Sequence, residues 1–281
     1  MSEQRAVWSE FWRGAAIDGC TLAFPAPARA QIADGWRTRL SQDHKGRLLD
    51  VACGKGAVLA LARALGFAEV TGVDIVALDT LGDAGSAIIG GVDAAALPFA
   101  DASFDVVVSQ FGIEYAGLDA AGAEAARVCG ERLLLLTHAA EGIVVAHARE
   151  QVAQARWLAE QGATARLIAH FTTPSTASCA DIDRLLAASA ARAQDDENIT
   201  LLESFYRTAV AAQDATDPLR QVSQLSEGIV AHAGRMGAMI DAAPTQAALE
   251  ALAHRLEAQG FAVTITEEGP PLIGRWLEAG R

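Results

Sequence analysis

The chain has 281 residues, 51% of them hydrophobic, enough for one large α/β domain or a domain with a smaller cap. Its 22 basic and 35 acidic residues leave a net charge of −13, which repels phosphate backbones and excludes the broad cationic stripe of a nucleic-acid binder. The longest stretch without Asp, Glu, Lys or Arg, residues 167–180, contains His, Thr, Ser and Pro and is too short to span a membrane.

The first residues, MSEQRAVWSEFWRG, mix charges with aromatics and contain no apolar core of a signal peptide. Trp8, Phe11 and Trp12 fall at helical spacing, Pro25 and Pro27 interrupt, and a helical period resumes over 28–40. Residues 1–45 therefore read as an N-terminal helical segment. Between 46 and 140, short apolar runs at 48–52, 70–73, 87–89, 106–108 and 133–136 alternate with Ala- and Leu-rich helical stretches. Continuous runs of this kind suit strands buried on both faces, and the alternation predicts βαβ units in a parallel sheet.

Residues 141–260 are Ala-rich with helical periodicity, and read as a helical insertion or cap. Asp217-Pro218 has the form of an N-cap followed by Pro at the first helical position, and Thr245 caps a last helix ending near Gly260. Strand character returns at 261–266 and 272–277, so residues 261–281 rejoin the 46–140 domain. Cys20, Cys53, Cys129 and Cys179 form no CxxC pair and no disulfide framework, which makes a reducing cytoplasm the expected location.

The richest segment is LLDVACGKGAVLALARALG, residues 48–66. A strand ends in Asp50, a small-residue loop follows, and a helix begins. Gly54 and Gly56 let the backbone approach a ligand closely, and the N–H groups at the helix start suit a carboxylate or phosphate. A Gly-x-Gly after a strand fits nicotinamide, flavin and adenosylmethionine sites alike. Here the third glycine of the dinucleotide fingerprint is replaced by Leu59, and Asp50 sets a negative charge at the loop entrance, which favours a sulfonium or ammonium over a pyrophosphate. Lys55 lacks the following Ser/Thr and the upstream glycine of a P-loop. In EVTGVDIV, Asp74 ends a second strand and can accept both hydroxyls of a ribose. Asp93 follows a third apolar run, placed to accept from an adenine amine. Asp105 begins the fourth strand as a structural residue, and Ser109, Gln110 and Phe111 end it.

The order LLDVACGKG, GVD, VDAAALPFADASFDVVVS, RLLLLTH resembles the class I S-adenosylmethionine-dependent methyltransferase family over residues 46–140 and, more weakly, 261–281. The resemblance implies a Rossmann-like, doubly wound α/β sheet of about seven strands, the last antiparallel, with S-adenosyl-L-methionine as cofactor. It implies that Asp50 and the backbone of Ala52, Cys53, Gly54 and Gly56 hold the methionine end. Asp74, with Ile75 beside it, holds the ribose; Asp93 and the backbone of Ala94 hold adenine; Ser109, Gln110 and Phe111 lie near the reactive methyl. Ala52 and Lys55 depart from the usual glycine and small residue of the family's first motif.

His138, just past the strand at 133–136, sits at the sheet edge where open α/β folds place ligands and is a candidate general base; Glu114 and Tyr115, just beyond the fourth strand, are further candidates. Each has an alternative as a strand-end hydrogen-bonding or packing residue. Trp12, with Trp8 and Phe11, is either core or a lid attracting a sulfonium by cation–π forces. His232, Arg235, Met236 and Met239 share a helical face and either line a substrate pocket or pack against protein. No metal pattern and no GxSxG elbow occur. The expectation is a methyltransferase acting on a small molecule, its acceptor pocket formed by the insertion with residues 109–115 and His138. No nucleic-acid or membrane partner is expected, and the insertion is a candidate homodimer surface. The rivals are an NAD(P)-binding oxidoreductase and a non-catalytic methyltransferase-like binding protein.

Overall fold

The computed structural model describes residues 8–9, 11–12, 17, 21, 24, 26–42, 45–77, 87–193, 201–213 and 215–281. Cys20 and Pro25 lie outside them. Contact clustering divides the chain into two compact units, Met1–Ala146 with Met239–Arg281, and His147–Ala238.

The first unit is built on a seven-stranded sheet in the order β3-β2-β1-β4-β5-β7-β6. The strands are β1 (Arg47–Val51), β2 (Glu69–Asp74), β3 (Ala87–Gly90), β4 (Phe104–Gln110), β5 (Cys129–His138), β6 (Ala262–Glu268) and β7 (Gly274–Gly280). The first five are mutually parallel, and β7 runs antiparallel between β5 and β6. This is the expected Rossmann-like architecture with an antiparallel last strand.

The apolar runs are continuous because both faces are covered. Leu48, Val106, Val108, Leu134, Leu136 and Trp276 pack on one side with helices α1 (Ala26–Ser41) and α2 (Ala57–Ala64). Leu49, Val107, Leu133, Leu135 and Leu277 pack on the other with α3 (Leu118–Val128) and a later helix, Gln246–Ala258. That later helix is capped as expected, Ala248 N–H donating to Thr245 Oγ1 at 3.2 Å. Although continuous in sequence with the insertion, it belongs to the sheet: Leu249, Leu252 and Leu256 are buried in that second face. On the first face the Trp36 and Trp276 rings meet edge-on at 4.7 Å, and Trp276 Nε1 donates to Glu268 Oε2 at 2.5 Å.

The second unit is helical. It takes in most of α4 (Ile143–Glu160), then α5 (Ala163–Thr172), α6 (Thr176–Ala193), α7 (Leu201–Gln213) and most of α8 (Pro218–Ala242). The Gln246–Ala258 helix is α9. The second unit has a core of its own around Leu158, Leu167, Ile182, Leu202, Phe205 and Val222. Arg220 N–H donates to Asp217 Oδ1 at 3.1 Å, the cap read from Asp217-Pro218. Among the described residues, no helix is long and apolar enough to cross a membrane.

Candidate functional site

Because β1, β2, β4 and β5 are parallel, Asp50, Asp74, Gln110 and His138 all fall at one sheet edge, the carboxyl edge. The loop after β1 turns sharply there. Ala52, Gly54 and Gly56 have φ of 57°, 50° and 79°. The bend is locked by Cys53 N–H donating to Val73 O at 3.0 Å and Gly56 N–H donating to Cys53 O at 2.8 Å. Two glycines that sequence reading passed over make it possible. A Cβ on Gly72 would lie 2.6 Å from Cys53 Sγ, and one on Gly112 would lie 2.6 Å from Ala52 Cβ. The missing side chain at 112 makes room for the alanine that stands where the family pattern has glycine. Sequence carries no signal of either contact, since both are between segments.

The three carboxylates have different surroundings. Asp50 is 2% exposed, and no donor among the described residues reaches it. Burial, and then the nearby Asp74, push its carboxyl well above the usual range. Asp74 is also buried, and burial raises it despite backbone donors: Gly54 N–H reaches Oδ2 at 2.9 Å and Val76 N–H reaches Oδ1 at 3.0 Å. Asp74 thus also closes the bend. Asp93 is half-buried and turns back on its own loop, Ala95 N–H donating to Oδ1 at 2.9 Å. Val92 N–H donates to Asp74 O at 3.0 Å, tying the Asp93 loop to the end of β2. The structure therefore joins the glycine bend, Asp74 and the Asp93 loop through backbone bonds. Ile75 is half-buried beside Asp74, and Ala94 is buried in the core.

Polar residues at the end of β4 are committed to the scaffold. Ser109 is fully buried; its hydroxyl donates to Val51 O at 2.7 Å and accepts from Ile113 N–H at 3.1 Å. Gln110 Oε1 accepts from the Trp36 indole. Phe111 has φ of 50°, and its N–H donates to Leu136 O at 2.7 Å.

Beyond them, two candidates that sequence reading kept separate form one unit. Glu114 Oε1 accepts from His138 N–H at 3.0 Å and lies 2.8 Å from His138 Nδ1. An oxygen already accepting a backbone N–H is suited to accept a second proton donor, which places hydrogen on Nδ1 and leaves Nε2 as an acceptor. His138 Nε2 and Glu114 Oε2 are both buried without a hydrogen-bond partner among the described residues. Buried polar atoms are nearly always paired, so a water, an ion or a polar group of a bound molecule would be needed to satisfy these two.

Aromatic rings surround the dyad. Phe111 lies 4.5 Å from the His138 ring at 32°, and Tyr115 stands nearly perpendicular to it at 6.2 Å. The chain of rings continues from Tyr115 to Trp8 at 4.9 Å, to Phe11 at 5.7 Å and to Trp12 at 5.0 Å. Trp12 ends on Gly54, where an added Cβ would meet its ring at 2.3 Å. The N-terminal aromatics thus link the glycine bend to the His138 dyad. Cys53 is no nucleophile: burial, then Asp50 and Asp74, raise its thiol well above the ordinary value. Among the described residues no group of His, Cys, Asp and Glu is arranged to hold a metal ion.

Residues 49–132 match the family model described as a methyltransferase domain. No curated protein matches the chain. Among solved structures, it is similar to an S-adenosylmethionine-dependent methyltransferase from Mesorhizobium loti (19% identity, 38% of this chain and 55% of that one, TM-score 0.33). It is similar to one from Aquifex aeolicus (11% identity, 90% and 92%, TM-score 0.45) and one from Methanosarcina mazei (23% identity, 34% and 53%, TM-score 0.29). The chain spans little more than half the length of the Mesorhizobium and Methanosarcina structures. The match at 49–132 thus falls on the segment whose motifs resemble the class I S-adenosylmethionine-dependent methyltransferases.

Proposed function

We propose that this protein is an enzyme that methylates a small molecule, with His138 as general base and Glu114 holding its tautomer. The observation that carries this reading is the unpartnered Nε2 of His138, buried beside Glu114 among aromatic rings.

The residues fit the cofactor. Asp50 is a buried carboxylate raised by burial and by Asp74, and so suited to the cationic amino-acid end. Asp74 would take the ribose hydroxyls, Asp93 and Ala94 the adenine, and the bend at 52–56 the carboxylate end. Trp12, packed on Gly54, would cover the bound molecule. When bound, S-adenosylmethionine supplies a methyl group already activated on a sulfonium.

The chain's own residues then have two tasks. The first is holding the acceptor in line, an effect worth about 7–11 kcal/mol in well-oriented systems. The second is removing a proton. His138 Nε2 would take the hydrogen of the attacking O–H or N–H, and Glu114 would stabilise the resulting imidazolium through Nδ1. The Ser109 hydroxyl and Gln110 Oε1 are already engaged by the backbone and Trp36, which leaves proton removal to His138.

A small acceptor is supported by two features. Nε2 is buried beside Phe111 and Tyr115, so an acceptor that reached it would be bounded by those rings. The net charge of −13 disfavours polyanionic acceptors. Calorimetric titration tests the cofactor half of the reading: S-adenosylhomocysteine is expected to bind with one-to-one stoichiometry, and NAD(P) to give no saturable heat. Binding of NAD(P) without S-adenosylhomocysteine would overturn it.

A further inference from the structure

Residues 91–103 connect β3 to β4 and contain no helix or strand. Backbone N–H and C=O groups in such a stretch have no ladder or helix to pair with, and other groups must meet them. Here α3 meets several of them with two side chains one turn apart, Glu124 and Arg127. Glu124 Oε2 accepts from Leu97 N–H at 2.9 Å. Arg127 Nη2 donates to Leu97 O at 3.1 Å, and Nη1 donates to Phe99 O at 2.8 Å. The Arg127 carbonyl accepts from Ala102 N–H at 2.9 Å. We propose that Glu124 and Arg127 are positioning residues for the cofactor's adenine: they grip the loop at Leu97 and so fix the carboxylate of Asp93. The inference rests on the reading that Asp93 takes the adenine amine, and adds what holds that carboxylate in place.

The path from the grip to Asp93 is short and stiff. Ala96 N–H donates to Asp93 O at 3.0 Å, and Ala95 N–H donates to Asp93 Oδ1 at 2.9 Å, so residues 93–96 form one tight turn. Before the turn, Val92 N–H is tied to Asp74 O at the end of β2. Directly after it, Leu97 is held by its N–H, its carbonyl and its buried side chain. The turn is therefore fixed at both ends, once to the sheet and once to α3. Its Oδ1 being spent on Ala95, Asp93 meets an amine with Oδ2.

The two side chains also orient each other. Arg127 Nε donates to Glu124 Oε1 and Nη2 donates to Glu124 Oε2, both at 2.8 Å, a bidentate fork that aims the guanidinium's other N–H groups at the loop carbonyls. Both are largely shielded, at 31% and 21% side-chain exposure. Arg127 Nη1 also pairs with Asp101 at 2.8 Å, but that carboxylate is 81% exposed, and such a pair contributes little. Apolar contacts hold the same segment independently: Leu97 lies in the core of the second face, and the Phe99 and Phe104 rings meet edge-on at 4.9 Å. Removing the polar grip should therefore loosen the turn without unfolding the domain.

Calorimetry on the full chain tests this with S-adenosylhomocysteine and its 6-deamino counterpart, in which hydrogen replaces the adenine amine. Wild type should prefer the amine-bearing ligand at least tenfold, since the other leaves the Asp93 carboxylate without that donor. Asp93→Ala should remove the preference. Arg127→Met, which keeps the aliphatic stem, and Glu124→Ala should each reduce it to threefold or less, while affinity for the deamino ligand stays within threefold of wild type. In the Asp93→Ala background, Arg127→Met should change the ratio by less than twofold. A purely structural role would weaken both ligands together and leave the ratio unmoved. A wild-type ratio below threefold, or one that Asp93→Ala leaves intact, would overturn the adenine role of Asp93 and the inference with it. A preference that depends on Asp93 but survives in folded Arg127→Met or Glu124→Ala would overturn the positioning role alone.

Discussion

Asp50 gives the sharpest prediction, because its two roles have opposite pH signatures. In the free protein its carboxyl is raised well above the ordinary value, first by burial and second by Asp74. The fold therefore favours the protonated form. Its contribution to stability is fully present below the unfolded pKa of about 3.9 and is lost as pH rises through the folded value. Each proton released in that window contributes a slope of up to about 1.4 kcal/mol per pH unit. Asp74 is raised in the same direction by burial, and Val76 and Gly54 N–H oppose the shift. Glu124 and Glu141 are lowered by Arg127 and Arg275 and slope the opposite way, but Glu141 is exposed and its contribution is screened. Comparing wild type with Asp50→Asn cancels these other groups. Urea denaturation from about pH 4.5 to 8 should show the wild type losing stability relative to Asp50→Asn as pH rises. Saturating S-adenosylhomocysteine, whose ammonium favours the ionised carboxylate, should flatten or reverse that difference, and its affinity for wild type should rise with pH. Parallel stability profiles for the two proteins, unaffected by ligand, would refute the role assigned to Asp50.

Replacing His138 by Gln, or Glu114 by Gln, should lower turnover of any accepted substrate by about 10²–10⁴-fold. The S-adenosylhomocysteine affinity should stay within threefold of wild type by calorimetry, and equal loss of both would count against the base. Gly54→Ala forces a left-handed alanine, costing about 1–2 kcal/mol, and drives its Cβ into Trp12. Its unfolding midpoint should fall and its tryptophan emission change, with Trp12→Ala relieving the steric part in the double variant. Alkylation with iodoacetamide at about pH 8 should modify exposed Cys179 and spare Cys53 and Cys129 until the protein unfolds. Burial holds Cys129 at about 11 and Cys53 well above its ordinary value, so mass mapping that finds either modified in the native state would contradict these raised values.

The parallel strands were legible because each is a continuous apolar run covered on both faces. The terminal pair was displaced in the reading. Residues 272–277 read as a strand, whereas β7 covers Gly274–Gly280. Its charged residues belong inside the sheet because partners on other segments take them: Arg275 bonds Glu141, and Glu278 bonds Arg39 and Arg132. Glu267 and Glu268 read as turn residues, yet β6 continues through them, since Glu268 accepts the Trp276 indole. Asp50 and Asp74 were legible as strand-end carboxylates. The Glu114–His138 pairing was not, because only the β4–β5 register, Gln110 beside Leu136, brings the two strand ends together. Ser109 and Gln110 looked ligand-facing for the same positional reason, and the structure spends them on Val51, Ile113 and Trp36.

A crystal structure of the chain grown with S-adenosylhomocysteine tests the core claim most directly. Ribose hydroxyls on Asp74, adenine beside Asp93, the amino-acid end along Asp50 and Gly54, and sulfur opening toward His138 Nε2 are the expected contacts. A ligand seated away from that edge, or one whose sulfur faces no part of the Glu114–His138 pair, would contradict the account.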